Sequence, residues 1–290
     1  MNHRFKKCRS IGKQDRLATF TAQETYRGMP FSIDLSDKTV VITGVSSGIG
    51  AGIAKAFASA NANIAGCALE PADHLRVQEF IKTVKDESGK TPLYVQTDVT
   101  KFGELEIFIE KAVSQYGSLN ILASNAGANI FKGAEHCTRE EWLFNMNLNL
   151  ESHWNIAKLC KPWLEKKKDS VIIINSSSHY HSTTSGSFPY NIAKAALRSL
   201  VQSLTIEWGP SIRTLAVAPG FIDTQLADEW FNGFPDPRSK RLETEKAHPL
   251  NRLGTPEEIG GWFVFLSSNY AAFAGGQTYL IDGGRSAVMI

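Results

Sequence analysis

The sequence predicts an α/β fold: a Rossmann-like, doubly wound parallel sheet of seven strands, with helices on both faces, in a single domain. Three observations predict it. Short apolar runs alternate with helical stretches along the chain, the pattern of parallel strands joined by crossover helices. The first run, Lys38-Thr39-Val40-Val41-Ile42-Thr43, passes directly into Gly44-Val45-Ser46-Ser47-Gly48-Ile49-Gly50 and then a helix starting Ala51-Gly52-Ile53. That strand, glycine turn and helix form the opening of a dinucleotide-binding unit. Finally, no Pro/Gly/Ser linker divides residues 31–290, and an apolar content of 42% supplies one large core.

The elements follow in chain order. Strands are expected at 39–43, 63–67, 92–96, 119–123, 170–175, 212–217 and 277–281, each a short apolar run that a parallel sheet would bury on both faces. Helical stretches lie between them near 48–60, 72–88, 101–116, 138–166, 188–208 and 256–267. The first helix starts where the glycines end, and its positive N-terminus faces the turn, a ready site for phosphate. The segment from Gln225 to about 250, with Trp230, Phe231, Gly233, Phe234 and Pro235, is long, aromatic and punctuated by Gly and Pro, as a substrate lid would be.

Residues 1–28 stand apart. They carry seven Lys/Arg against Asp15 and Glu24, whereas the whole chain has a net charge of only +2, so everything after them is net acidic. Residues 1–30 are expected to be a disordered extension, with Met29-Pro30-Phe31 just ahead of the first strand. The extension lacks the apolar stretch of a secretory signal. The acidic remainder argues against nucleic-acid binding. No apolar run reaches the ~18 residues of a membrane helix. Cys8, Cys67, Cys137 and Cys160 are scattered without metal-ligand or disulfide-framework spacing, so no metal site is expected, and reduced thiols in a cytoplasmic protein are the default.

The chemistry is carried by Tyr190 and Lys194. Four residues apart on a helix, they share one face. A free tyrosine, with a pKa of about 10, is a poor base near neutral pH unless a cation stabilises its phenolate, and the Lys194 ammonium is placed to do so. Ser177 follows the apolar run Val171-Ile172-Ile173-Ile174 and so falls at the C-terminal end of a strand, where open α/β sheets bind ligands. Its hydroxyl would hold a substrate oxygen.

Together these motifs resemble the short-chain dehydrogenase/reductase family over about residues 34–285. Thr43-Gly44-x-x-x-Gly48-x-Gly50 matches its coenzyme motif, Asn125-Ala126-Gly127 its Asn-Ala-Gly signature, and Pro219-Gly220 with Thr224 its nicotinamide-contacting segment. Gly275-Gly276 and Asp282-Gly283-Gly284 also fit. The resemblance implies catalysis by Asn149, Ser177, Tyr190 and Lys194. Asn149 is reached by counting seven residues from Trp142, with Asn145 and Asn147 as neighbouring alternatives. It further implies coenzyme contacts from Gly44, Ser46, Ser47, Gly48, Ile49, Gly50, Asp98, Val99, Asn125, Ala126, Gly127, Tyr190, Lys194, Pro219, Gly220, Ile222 and Thr224, and a homotetramer built through helices 138–166 and 188–208. Asp98 serves equally as a turn aspartate.

The expected reaction interconverts a secondary alcohol and a ketone with a nicotinamide coenzyme. The second strand ends Gly66-Cys67-Ala68-Leu69-Glu70, with Ala68 where an NAD enzyme would carry its ribose-binding acid and Leu69 and Ser47 where an NADP enzyme would carry cations. NAD is preferred, with Glu70 as a displaced acid; His74 and Arg76 keep NADP open. Asn129, His179 and Trp230 are candidate substrate contacts, which would suit a polyhydroxylated substrate such as a sugar or sugar acid. The competing readings are an NADPH-dependent 3-oxoacyl-thioester reductase and a non-catalytic dinucleotide sensor.

Overall fold

The computed structural model describes residues 32–288; the expected extension over residues 1–30 lies outside the described residues. From Ile33 onward the chain forms one unit. Its centre is a seven-stranded sheet ordered β3-β2-β1-β4-β5-β6-β7, comprising β1 (Thr39–Thr43), β2 (Asn63–Ala68), β3 (Leu93–Gln96), β4 (Ile121–Ser124), β5 (Ser170–Asn175), β6 (Ile212–Pro219) and β7 (Thr278–Ile281). Every pairing is parallel, as expected from strands that are always separated by helices.

Burial on both faces explains the continuous apolar runs. In β1, Val40 and Ile42 enter one core and Val41 the other; in β5, Val171 and Ile173 part from Ile172 and Ile174 in the same way. One face is covered by α1 (Gly48–Ser59), α2 (Leu75–Ser88) and α9 (Pro256–Ser267), through Ile53, Phe57, Phe80, Ile259 and Phe263. The other is covered by α3 (Phe102–Tyr116), α5 (Ser152–Leu164) and α6 (Tyr190–Trp208), through Leu105, Phe108, Ile156, Leu197 and Val201. Alternation at period two thus feeds two separate cores from a single run of valines and isoleucines.

Two departures from the sequence expectation bear on function. The helix expected over 138–166 is continuous but locally widened: α4 (Arg139–Met146) runs through a π turn at Asn147–Glu151 into α5. Such turns are rare and concentrate at functional sites. The segment expected to be a lid contains two helices, α7 (Gln225–Asn232) and α8 (Pro237–Lys246), started by the side-chain caps of Thr224 and Asp236.

Candidate active site

The sheet order reverses between β1 and β4, so a crevice opens at their C-terminal ends. The Asn-Ala-Gly segment is tied there to the glycine turn. Thr43 Oγ1 accepts from the backbone N–H groups of Asn125 and Ala126, both at 2.9 Å, while Asn125 Nδ2 donates to Thr43 O at 2.9 Å and Gly44 O at 3.3 Å. Gly44 and Gly48 have φ of +76° and +55°, the left-handed conformation that costs glycine least. At Gly50 a Cβ would fall 1.8 Å from Gly44 O, so no other residue lets the helix approach the turn this closely. Ser47 caps α1 without a side-chain hydrogen bond, leaving the first N–H groups of the helix to an outside acceptor. This cradle fits a dinucleotide diphosphate.

The implied adenosine end lies beside β2 and β3. Asp98 lines a cavity of about 360 Å³ with Leu69, Gln96, Lys101 and Glu104. Its Oδ1 accepts from Thr100 N at 3.0 Å and Thr100 Oγ1 at 2.7 Å, so it is a turn aspartate as well as a cavity wall. These bonds and Lys101 hold its carboxyl below the usual range despite the opposing effect of burial. Val99 is buried in the core. At the end of β2, Tyr94 Oη donates to the carbonyls of Ala68 (3.3 Å) and Glu70 (2.5 Å), and Gln96 Nε2 to that of Leu69 (2.9 Å). Glu70 pairs with Arg76 at 3.7 Å. Ile222 is buried, and Thr224 lies next to Gly48, where a Cβ would be 3.4 Å from Thr224 Cγ2.

Ser177, Tyr190 and Lys194 converge as expected. Ser177 lies two residues past β5 in extended conformation, with its Oγ accepting from His179 N at 3.3 Å, and its hydroxyl acts to lower the pKa of the Tyr190 phenol. Tyr190 is the first residue of α6, and Lys194 lies one turn on with its Nζ 5.6 Å from the phenol ring centroid. Lys194 Nζ donates to Asn175 O at 3.0 Å, and Asn175 Nδ2 to Asn125 Oδ1 at 2.8 Å, linking the lysine back to the glycine turn.

Burial acts on both members of the Tyr190–Lys194 pair. It pushes Tyr190 up to about 12, against the smaller lowering effect of the Ser177 hydroxyl. Burial also pulls Lys194 down to about 7. Both groups are less than a tenth exposed, and desolvation penalises whichever form carries charge.

Asn149 sits within the π turn and is fully buried. Its Nδ2 donates to Ala128 O and to Asn145 Oδ1, both at 3.0 Å, and its Oδ1 accepts from Ala128 N at 3.1 Å. A Cβ on Gly127 would collide with that Oδ1 at 2.7 Å and lie 3.6 Å from Lys194 Nζ. Asn145, expected only as an alternative to Asn149, is part of the same network and donates to Pro189 O at 3.0 Å, beside Tyr190. Asn147 is directed elsewhere, to Thr100 O at 3.4 Å. The i, i+4 spacing of Asn145 and Asn149 was the available signal for their pairing.

Of the candidate substrate residues, His179 is close to Tyr190 and Asn129 is exposed. Phe131, which sequence reasoning missed, stands edge-on to Tyr190 at 5.3 Å and 5.6 Å from His179. It is placed by an antiparallel bridge to Pro189. Trp230 belongs to a separate aromatic group with Phe221, Phe231 and Phe234, at ring distances of 4.7–5.3 Å.

Comparisons with known proteins agree with this architecture. The family model described as enoyl-(acyl carrier protein) reductase matches residues 44–286. Oxidoreductase UcpA of Salmonella typhimurium is 33% identical over 87% of this chain and 95% of its own length. The 3beta-hydroxysteroid dehydrogenase 1 of Eggerthella lenta is 30% identical with the same coverages. The ligand-free structure of Thermoplasma acidophilum aldohexose dehydrogenase superposes with a TM-score of 0.79 at 26% identity, covering 88% of this chain and 97% of that one. Two cores on one parallel sheet, a glycine cradle at its switch point and a serine, tyrosine and lysine beside it accompany these matches: the chain belongs to the short-chain dehydrogenase/reductase family and is an oxidoreductase of that type.

Proposed function

We propose that the protein interconverts a secondary alcohol and a ketone, with Tyr190 as acid and base and NAD as the preferred coenzyme. The observation that carries this reading is the buried convergence of Ser177, Tyr190 and Lys194 beside the glycine cradle. The nicotinamide supplies or accepts the hydride when bound. In oxidation the Tyr190 phenolate removes the alcohol proton, and in reduction its phenol returns one to the carbonyl oxygen. Ser177 orients that oxygen. With burial pushing its pKa up to about 12, Tyr190 donates a proton readily in reduction and needs added positive potential beside it to serve as a base in oxidation. Lys194 and Asn175 form the link from the phenol toward the cradle. Asn149 is a positioning residue, fixing the backbone at Ala128 and, through Asn145, the start of α6.

NAD is favoured because the end of β2 offers an acid, Glu70, close to the position where an NAD enzyme carries its ribose-binding carboxylate. Phe131 beside Tyr190 gives a ring-shaped substrate a face to lie on, and His179, with Nδ1 3.0 Å from Thr183 Oγ1, offers a polar neighbour. A sugar or sugar acid fits that mixture. The second reading, NADPH-dependent reduction of a 3-oxoacyl thioester, draws on the 31% identity to a 3-oxoacyl-(acyl-carrier-protein) reductase of Chlamydia muridarum. The working form is proposed to be a homotetramer, supported by Leu143, Phe144, Trp154 and Ile206, large apolar side chains exposed on α4, α5 and α6.

The test is a panel of sugars, sugar acids, secondary alcohols and 3-oxoacyl thioesters, each assayed with both coenzymes by nicotinamide absorbance. Turnover of a polyol with NAD supports the proposal. Turnover of the thioester alone, with NADPH, transfers it to the second reading.

A further inference from the structure

A polar chain crosses the mouth of the coenzyme crevice. Arg76, in the first turn of α2, donates from Nη2 to Gln225 Oε1 at 2.7 Å, and its Nη1 lies 3.7 Å from Glu70 Oε1. Gln225 is the first residue of α7 and donates in turn to Glu229 Oε1 at 3.1 Å. The contact is not a neighbourly one. Helix α2 follows β2 and α7 follows β6, and β1, β4 and β5 lie between those strands. Four inter-strand spacings make about 19 Å of sheet. To touch, Arg76 and the lid must reach over the C-terminal ends of the intervening strands, where the switch-point crevice and the glycine cradle lie. The proximity of Thr224 to Gly48 places the base of the lid over the same cradle.

We propose that Arg76 and Gln225 form a strap that closes over bound dinucleotide, making Arg76 a coenzyme-positioning residue that clamps the diphosphate and couples coenzyme occupancy to the lid. The inference rests on the dinucleotide reading of the crevice. A guanidinium is a planar fork of donors matched to phosphate oxygens, and here only part of the fork is engaged, by Gln225 and Glu70. The Arg76 side chain is 38% exposed, so its contacts are weak enough to open and re-form during each coenzyme exchange. Glu70 keeps the arginine on its own bank of the crevice while the lid is open. A diphosphate is common to both nicotinamide coenzymes, so the strap holds either, unlike a reader of the ribose 2′ position.

The experiment measures NADH and NADPH dissociation constants by fluorescence, and NADH release by stopped flow, for wild type, Arg76→Met, Gln225→Ala and the double variant. Arg76→Met is expected to weaken both coenzymes about tenfold through faster release, the value of a hydrogen bond to a charged group. Gln225→Ala should act in the same direction, and the double variant should lose no more than Arg76→Met alone. Hydrogen exchange across residues 225–232 should slow when NADH binds wild type, and lose that protection in Arg76→Met, a response that a role in folding would not produce. Wild-type binding with both single variants within twofold of it would remove the strap alone, as would additive losses. A loss confined to NADPH would make Arg76 a reader of the 2′-phosphate and overturn the strap. Absence of binding by the wild type itself would take down the dinucleotide reading and the strap with it.

Discussion

The floor of the candidate active site and the segment proposed as its lid are built on opposite principles. The floor residues Asn149, Ser177, Tyr190 and Lys194 are each less than a tenth exposed, and Asn149 and Lys194 are tied by hydrogen bonds to the backbone of Ala128 and of Asn175 at the end of β5. Over Asp223–Lys246 the proposed lid is anchored only by Ala227 and Phe231, packed with Leu253, and is otherwise held by partly exposed charges. Arg241 reaches Asp223, Asp228 at 3.2 Å and Glu245 at 3.2 Å, and α8 buries no residue. Buried hydrogen bonds are costly to break because a lost partner leaves a desolvated group behind. Exposed pairs have water as a ready substitute. The floor is thus suited to hold a geometry within fractions of an ångström, and the lid to be opened repeatedly at little cost.

If that contrast is right, substitutions in the floor should have much larger effects than those in the lid. The largest is expected from Tyr190→Phe, which keeps the ring and its contacts with Phe131 and His179 and removes only the proton carrier. Turnover should fall about a thousandfold, with coenzyme affinity, measured by NADH fluorescence, within a factor of about three of wild type. Residual activity above a tenth would remove Tyr190 from its role. Asn149→Ala comes next. It leaves the N–H and C=O of Ala128 and the Asn145 amide without their partner, so a loss of about 2–3 kcal/mol in a denaturant titration is expected. Turnover should fall by roughly tenfold to a hundredfold as Ala128 and the start of α6 shift.

A third substitution separates stability from catalysis within the floor. Burial lowers the folded-state pKa of Lys194 to about 7, from the ordinary lysine value of 10.5. Between these values the unfolded chain binds a proton that the folded chain does not, so this group makes stability rise with pH across that window. Its cost is therefore largest below about pH 7 and fades toward pH 10. Lys194→Met should abolish turnover yet raise stability at pH 6 by on the order of 1–2 kcal/mol, a gain that shrinks as pH rises. Equal stability of the two proteins at pH 6 would show that the lysine carries no such burden.

The same contrast decides what the sequence made legible. β1 and β5 occupy 39–43 and 170–175 as expected, because strands buried on both faces must be apolar throughout. Tyr190, Lys194 and Ser177 were legible because strand ends and helix turns fix their directions. The π turn around Asn149 was not: one widened turn leaves the amphipathic pattern on either side intact. Helix α8 was not legible either, since Pro237-Arg238-Ser239-Lys240-Arg241-Leu242-Glu243-Thr244-Glu245-Lys246 has no apolar face, and apolar periodicity is the signal by which helices are read. Nor did spacing reveal the raised pKa of Tyr190, which comes from burial by residues far apart in the chain.

The smallest effect is expected from Arg241→Ala, and its smallness is the informative part. The Arg241 side chain is 32% exposed and faces three carboxylates, of which Asp228 is 60% exposed. Its guanidinium also covers the Phe231 ring at 5.4 Å, within the aromatic group that includes Trp230. Removing it deletes several weak contacts without stranding a buried charge, so global stability should change by no more than about 1 kcal/mol. The floor, which Arg241 does not touch, should hold its geometry. The loss should appear locally: faster hydrogen exchange across 225–246, and a KM for substrate raised severalfold with a much smaller change in kcat, because a loosened lid orders on binding at an entropic cost. A stability loss as large as that of Asn149→Ala would mean that the lid is a structural part of the floor, and the division drawn between the two would fail.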